Sequence, residues 1–189
     1  MYNSNFTIKA SLKGGLPMLF IPIIAFIAAL ISGSLLFLDY VHVASGIAWT
    51  GMDLFMGLFF SNMMGGLSNK DRVEISKRIT PMMLFFMPSI SAVTITAGIM
   101  LAMKTGIFNL SNPIIIIVLV IVGILTAQAL LIFLPNELRI YFEIVRRKGK
   151  DQEKIVRLTM FNLKVSLSQV IFQMAIIIFM AHFATGIPI

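Results

Sequence analysis

Long apolar runs separated by short polar connections dominate the chain. A helix that crosses a bilayer needs about 20 apolar residues. Five runs meet that length: 16–38, 41–64, 81–103, 114–134 and 165–184. Residues 1–15 are expected to form a short interfacial segment that ends at Gly14 and Gly15. The pattern predicts an all-α fold: a polytopic membrane helical bundle with five transmembrane helices, in which residues 1–189 form a single transmembrane domain.

The connections between the runs predict how the chain is oriented. The first turn, around Asp39 and Tyr40, is so short that the first two helices must form an antiparallel hairpin. The second and fourth connections, 69–80 and 135–164, carry most of the lysines and arginines, whereas the third carries only Lys104. Cytoplasmic loops are enriched in Lys and Arg. We therefore expect a prokaryotic plasma-membrane protein with a cytoplasmic N-terminus and an external C-terminus.

The fourth connection is expected to be helical, with Tyr141, Ile144 and Val145 on one face and a basic cluster on the other. The simpler interpretation is a solvated positive-inside segment. The alternative is a surface for anionic lipid or a cytosolic partner.

Composition excludes a soluble domain. The chain is 58% hydrophobic and only 12% charged, with a mean hydropathy of +0.96, and soluble domains lack that balance. It has no cysteine, which excludes disulfides and thiolate metal sites. The net charge of +7 lies in the connections. It therefore indicates topology rather than a nucleic-acid partner, and the expected partner is the lipid bilayer.

A polar stripe marks the second run as the candidate functional element. At about 100° per residue, His42, Trp49 and Asp53 fall within about 20° of one line, with Gly46 beside it. Ionisable side chains inside a membrane cost at least about 2.5–3.5 kcal/mol each, so they usually face a protein interior. Asp53 lies near the predicted midplane. It either relays protons or pairs with a redox ligand, or it is a structural acid bonded to one of the following neighbours: Thr94, Thr96, Thr126 or Gln128.

The only two histidines predict a metal or haem site. His42 begins the second predicted helix and His182 ends the fifth, so both lie near the outer surface at nearly equal depth. Two imidazoles on separate helices at one level can hold a haem iron between them. We expect haem b with His42 and His182 as metal ligands. The alternative is that both histidines are interfacial and only hydrogen-bonded.

Further residues complete the expected cofactor site. Gly46 and Gly98 would leave room for a porphyrin, and Lys104 would face its carboxylates at the outer surface. Trp49 and Asp53 belong to the same stripe. Copper is the alternative cofactor, because soft thioethers select Cu(I) and the chain has 14 methionines, but methionine is also common filler in apolar helices.

Gln169 and Gln173 are four residues apart on the fifth run, on roughly the opposite face from His182. This spacing favours hydrogen bonds between helices over a quinone site.

Two motifs in order resemble a known superfamily. His42, Trp49 and Gly51 precede an aromatic-rich LFMGLFF segment, and RITPMM at 78–83 precedes Thr94 and Gly98. This pattern is similar to the HemJ-type membrane protoporphyrinogen oxidases and the related CopD-type copper-resistance membrane proteins. The resemblance covers about 39–103. It implies a helical membrane protein with haem b, in which His42 matches the haem-linked histidine.

Two positions differ from the HemJ pattern. Asp39 stands where the family has a lysine, and Ser61, Asn62 and Met63 occupy the region of its second histidine. These differences favour the haem scaffold over protoporphyrinogen oxidation.

The expected function is therefore electron transfer by a b-type haem-binding membrane protein, with a membrane oxidoreductase left open. A quinone or a redox partner subunit would exchange electrons with it, and an oligomer or a larger membrane complex is expected. The alternatives are a CopD-type copper-binding or copper-transport protein and a non-catalytic subunit of a respiratory membrane complex.

Overall fold

Five helices account for nearly all of the chain in the computed structural model, which describes residues 11–186. They are α1 (Lys13–Ser32), α2 (Leu35–Gly65), α3 (Asn69–Lys104), α4 (Pro113–Val145) and α5 (Gln152–Thr185). Each is long and apolar enough to cross a membrane, and the described range contains no strand. The prediction of an all-α fold with five such helices is confirmed.

The first turn lies earlier than predicted. Gly33 ends α1 in the left-handed conformation, with φ of 66°, and its N–H bonds the Leu30 carbonyl at 3.2 Å. Ser34 then caps α2, because its Oγ accepts the Phe37 N–H at 3.2 Å. The expected turn at Asp39 and Tyr40 is wrong, since both residues lie inside α2.

Three helices continue past the apolar runs. α3 begins at Asn69 rather than at residue 81, α4 runs on to Val145, and α5 begins at Gln152. The extensions pack against one another around a buried cluster: Val73, Ile140, Ile144, Ile155 and Val156. We call this part, with the connections 66–68 and 146–151, the basic end. The opposite end holds the connections 33–34 and 105–112.

Buried Glu143 secures the last connection at the basic end. Its carboxylate accepts the Asp151 N–H at 3.4 Å and pairs with Arg147 and Lys154 at 3.5 Å each. The predicted helical character of residues 135–164 is thus confirmed except at this short turn.

A polar stripe on α5 joins it to three other helices. The stripe has helical spacing: Thr159, Asn162, Ser166, Gln169 and Gln173. All but Thr159 are at most 4% exposed. Along the stripe, side chains bond α3, α4 and α2 in turn. Such bonds hold membrane helices together where apolar packing alone gives little preference. The bonds made by Gln169 and Gln173 confirm their predicted role between helices.

Each of α2 and α4 contains one π-helical turn, Phe55–Phe60 and Ala129–Phe133. Single π-helical turns inside α-helices are often found at functional sites. Both of these turns place side chains on the same cavity.

Candidate functional site: a cavity between four helices

An apolar cavity of about 240 Å³ lies between α2, α3, α4 and α5. It extends from the basic end towards the middle of the bundle. Leucine and isoleucine make up much of its apolar wall, and methionine and phenylalanine supply six further residues: Met56, Phe60, Met64, Met83, Met87 and Phe133. A cavity of ~150 Å³ holds benzene, and drug-sized pockets begin at ~300 Å³. The volume therefore suits a molecule of one or two rings, and the flexible methionines allow the wall to adapt.

One wall of the cavity is polar. Asn162 donates from Nδ2 to Glu137 Oε1 at 2.9 Å, and its own Oδ1 accepts from Asn136 Nδ2 at 2.9 Å. Thr80 of α3 also faces the Glu137 carboxyl. The second oxygen, Glu137 Oε2, is buried and has no partner among the described residues. Because most buried polar atoms in proteins are hydrogen-bonded, this oxygen is an exception beside the cavity.

The cavity opens sideways between α3 and α4. These helices pack on each other mainly through Leu134–Val145, at the basic end. Further from the basic end than that contact, the cavity is lined by residues that are also exposed: Pro88 and Ala92 of α3 and Leu130 of α4. Leu130 is 57% exposed. We call this gap the side opening. Its rim is apolar, so it suits entry of an apolar molecule.

Asp53 lies beyond the cavity, behind Trp49 and Ser166. It is completely buried, and its Oδ2 accepts from Gln173 Nε2 at 2.8 Å. Trp49 and Ser166 face the same carboxyl group and also line the cavity. Asp53 Oδ1 and Gln173 Oε1 have no partner among the described residues. The hydrogen-bonding partner of Asp53 is thus on α5, and the expected partners on α3 and α4 were wrong.

His42 faces α3 rather than the cavity. Its Nδ1–H donates to the Thr94 carbonyl at 2.9 Å, since a carbonyl can only accept. A Cβ placed on Gly98 would lie 2.6 Å from His42 Cε1, so the imidazole rests directly on that glycine. Gly46 is less crowded, with the Thr94 methyl 3.5 Å from where its Cβ would be.

The expected haem residues fit a porphyrin only in part. With Nδ1 protonated, a neutral His42 imidazole presents a lone pair on Nε2, the arrangement found in metal-binding histidines. The Gly98 surface, however, is covered by the imidazole itself and offers no room for a porphyrin face. His182 lies in the last turn of α5, where its ring is 5.4 Å from that of Phe183. Lys104 is exposed at the end of α3.

The expected copper ligands are also distributed over different places. Met56 lines the cavity, whereas His42 packs on α3 and is not part of the cavity wall. Within residues 11–186, no three His, Asp or Glu side chains gather where they could hold a metal ion.

Glu137, Asn162 and Ser166 are site residues that the sequence analysis does not identify. The apolar run ends at Leu134, so hydropathy places Glu137 in a solvated connection. The available signal for Glu137 was its position directly after a Pro135–Asn136 pair, three residues past a run with no charge.

No protein-family model, no curated protein and no solved structure matches the chain.

Proposed function

We propose that the chain is a multi-pass protein of a prokaryotic plasma membrane, with its basic end in the cytoplasm, and that it binds a small membrane-dissolved molecule in the cavity. The observation that carries this proposal is the combination of three features in one place. They are a 240 Å³ apolar space, a partnerless Glu137 oxygen in its wall, and an apolar side opening. The distribution of basic residues supports the orientation.

The features of the cavity define the ligand class. The ligand has one or two apolar rings, which fill the space between Met56, Phe60 and Phe133. It also carries one hydrogen-bonding group, such as a hydroxyl, which reaches Glu137 Oε2. A molecule of this kind partitions into the hydrocarbon of a bilayer, and it would enter through the side opening.

Two fluorinated probes test the proposal, because ¹⁹F NMR detects them against a background of lipid. 4-Fluorophenol has the hydroxyl, and fluorobenzene lacks it. We expect the phenol to bind the protein in nanodiscs more tightly, with Glu137→Leu removing the difference. A hydrogen bond contributes at least about 0.5–1.5 kcal/mol, so the difference should be at least about twofold.

A matched pair of variants on α4 separates binding from partition into lipid. Ala129 lines the cavity, and Ala129→Leu should abolish binding by filling it. Ala127 is exposed and is not a cavity residue, so Ala127→Leu should bind like the unaltered protein. Equal signals from all three proteins would mean that the probes report only the bilayer, and the proposal would fail.

Haem binding by His42 is the second candidate. The supporting observation is the Nδ1–H bond to Thr94, which leaves Nε2 with the lone pair. His42, together with His182, would hold the haem, with the imidazole kept on Gly98 by its bond to Thr94. When bound, haem b would supply one-electron transfer. Paired α and β bands in the optical spectrum of the reduced protein, lost in His42→Ala, would support this candidate. Stoichiometric copper with a featureless spectrum would favour the copper alternative.

A further inference from the structure

Within residues 11–186, the buried acid Asp53 has no charged partner. Three stretches of the neighbouring helices contain no Asp, Glu, Lys or Arg: 79–103 on α3, 113–136 on α4 and 165–181 on α5. On α2 itself, the other ionisable residues are Asp39 and Tyr40, which are exposed, and His42, which faces α3. The groups that do face Asp53 are Gln173, Ser166 and Trp49, none of which carries a charge. An isolated carboxylate in an apolar interior is costly unless something neutralises it.

A polar path leads from the basic end to this acid. Glu137 is half-buried at the cavity edge and bonds Asn162 of the α5 stripe. Gln173, which bonds Asp53, lies 11 residues further along the same stripe. At 1.5 Å per residue the two carboxyl groups are about 16 Å apart along α5. That is roughly six hydrogen bonds of ~2.8 Å, so direct transfer is excluded and intermediates are needed.

The cavity has room for those intermediates. At ~30 Å³ per water, its 240 Å³ corresponds to about eight molecules. Thr80, Ser166 and Gln169 supply hydrogen-bonding groups along the wall between the two acids. Ser166 lines the cavity and faces Asp53, so its hydroxyl is the last link.

The polar contacts of Asp53 lead to the cavity. Trp49 and Leu125 form a buried apolar cluster with Ile90, Phe172 and Ile176, and both also line the cavity. Of the groups that face Asp53, Ser166 and Trp49 are cavity residues. The cavity is therefore the access route that the described contacts of Asp53 support.

We propose that Asp53 is a proton-binding site that is loaded through the cavity from Glu137. A proton from water at the basic end bonds to Glu137 Oε2 and passes to cavity water. Ser166 accepts a proton from that water and gives its own hydroxyl proton to Asp53 Oδ1. Release follows the reverse order, so each group returns to its starting state. In this scheme the site exchanges one proton with the basic end. This proposal goes beyond ligand binding and does not depend on it.

The chain carries its own reporter for this site. Trp49 is the only tryptophan, and its indole faces Asp53. A charge that appears or disappears beside the indole changes its fluorescence. In nanodiscs, we expect Trp49 emission to titrate with pH in the unaltered protein and to lose that dependence in Asp53→Asn. Asp39→Asn is the matched control on the same helix, since Asp39 is exposed and should leave the titration intact.

The route is tested by kinetics. After a pH jump, Glu137→Gln should reach the same final emission as the unaltered protein, but at least tenfold more slowly. An equal rate would overturn Glu137 as the entry group. A pH dependence that persists in Asp53→Asn would overturn the site itself.

Infrared absorption keeps the proposal testable if Asp53→Asn fails to fold. The unaltered protein should lose a protonated carboxyl band over the pH range in which Trp49 emission changes. Absence of that band would refute the proposal. Because no ligand is present in any of these measurements, their failure is distinct from failure of the fluorophenol experiment.

Discussion

Replacing Gly98 with alanine tests the contact between α2 and α3 most directly. The added methyl would lie 2.6 Å from His42 Cε1, which is closer than two non-bonded carbon atoms approach one another. It would also lie 3.0 Å from His42 Nδ1. The imidazole is the end of a side chain, so it can swing away while the backbone stays in place. It would then lose the 2.9 Å bond to the Thr94 carbonyl.

The size of the effect follows from three contributions. Loss of the hydrogen bond costs about 0.5–1.5 kcal/mol. Forcing a methyl group into a filled space costs about 1–3 kcal/mol. Alanine in place of glycine inside a helix returns about 0.8–1.0 kcal/mol. Gly98→Ala should therefore lower the free energy of unfolding by about 0.5–3.5 kcal/mol.

The same substitution should have the opposite sign when the imidazole is absent. In a His42→Ala background, Gly98→Ala has no ring to displace, so only the gain in helix propensity of about 1 kcal/mol remains. A double-mutant cycle on unfolding in mixed detergent micelles measures the difference. Gly123→Ala on α4, where no atom lies within 4 Å of the added Cβ, provides the reference for an uncrowded helical glycine.

An equal cost of Gly98→Ala in both backgrounds would refute the reasoning. The imidazole would then not lie on Gly98, and the glycine would again be available to a flat cofactor. The cycle therefore also bears on the haem candidate.

Two further predictions concern helix packing and orientation. Gly57→Ala would place a Cβ 2.6 Å from the Leu167 backbone nitrogen. Because a backbone atom cannot move aside as a side chain can, this substitution should destabilise the protein by about 1–3 kcal/mol. Gly51→Ala on the same helix meets nothing within 4 Å and should instead stabilise by about 1 kcal/mol; similar losses for both would contradict the α2–α5 contact. Single cysteines at Lys148 and Asn109, introduced into a chain that has none, should react with a membrane-impermeant thiol reagent from opposite sides of the membrane. Reaction of both from one side would exclude the five-span orientation.

Hydropathy predicts the number of helices but not their ends. A run of apolar residues reports only the part of a helix that is uniformly apolar, so the amphipathic start of α3 at Asn69 was assigned to a connection. At the first turn, hydropathy instead misses a helix end that lies inside an apolar run. Gly33 and Ser34 interrupt an apolar run without lowering its hydropathy much, although a glycine followed by a capping serine is a readable helix-break signal.

The candidate site depended on information that a single sequence does not contain. The stripe of α2 placed His42 and Asp53 on nearly one line, yet His42 contacts α3 and Asp53 contacts α5. Two helices that flank a third can both reach the same stripe at different depths, and periodicity alone does not say which neighbour lies at which depth. The cavity could not be predicted from the sequence either, because its walls come from four helices.

The side opening has a consequence for how tightly the site must bind. In the proposed membrane orientation, Ala92 and Leu130 face hydrocarbon, so the ligand arrives from a phase in which it is already concentrated. A molecule that partitions about a hundredfold into lipid, and is present at about 1 μM in water, reaches about 0.1 mM in the bilayer. Half-occupancy then requires only about −5.5 kcal/mol of binding free energy, rather than the −8.2 kcal/mol that the aqueous concentration would demand. An apolar cavity with one polar wall is adequate for that task, and the bilayer itself does part of the selecting.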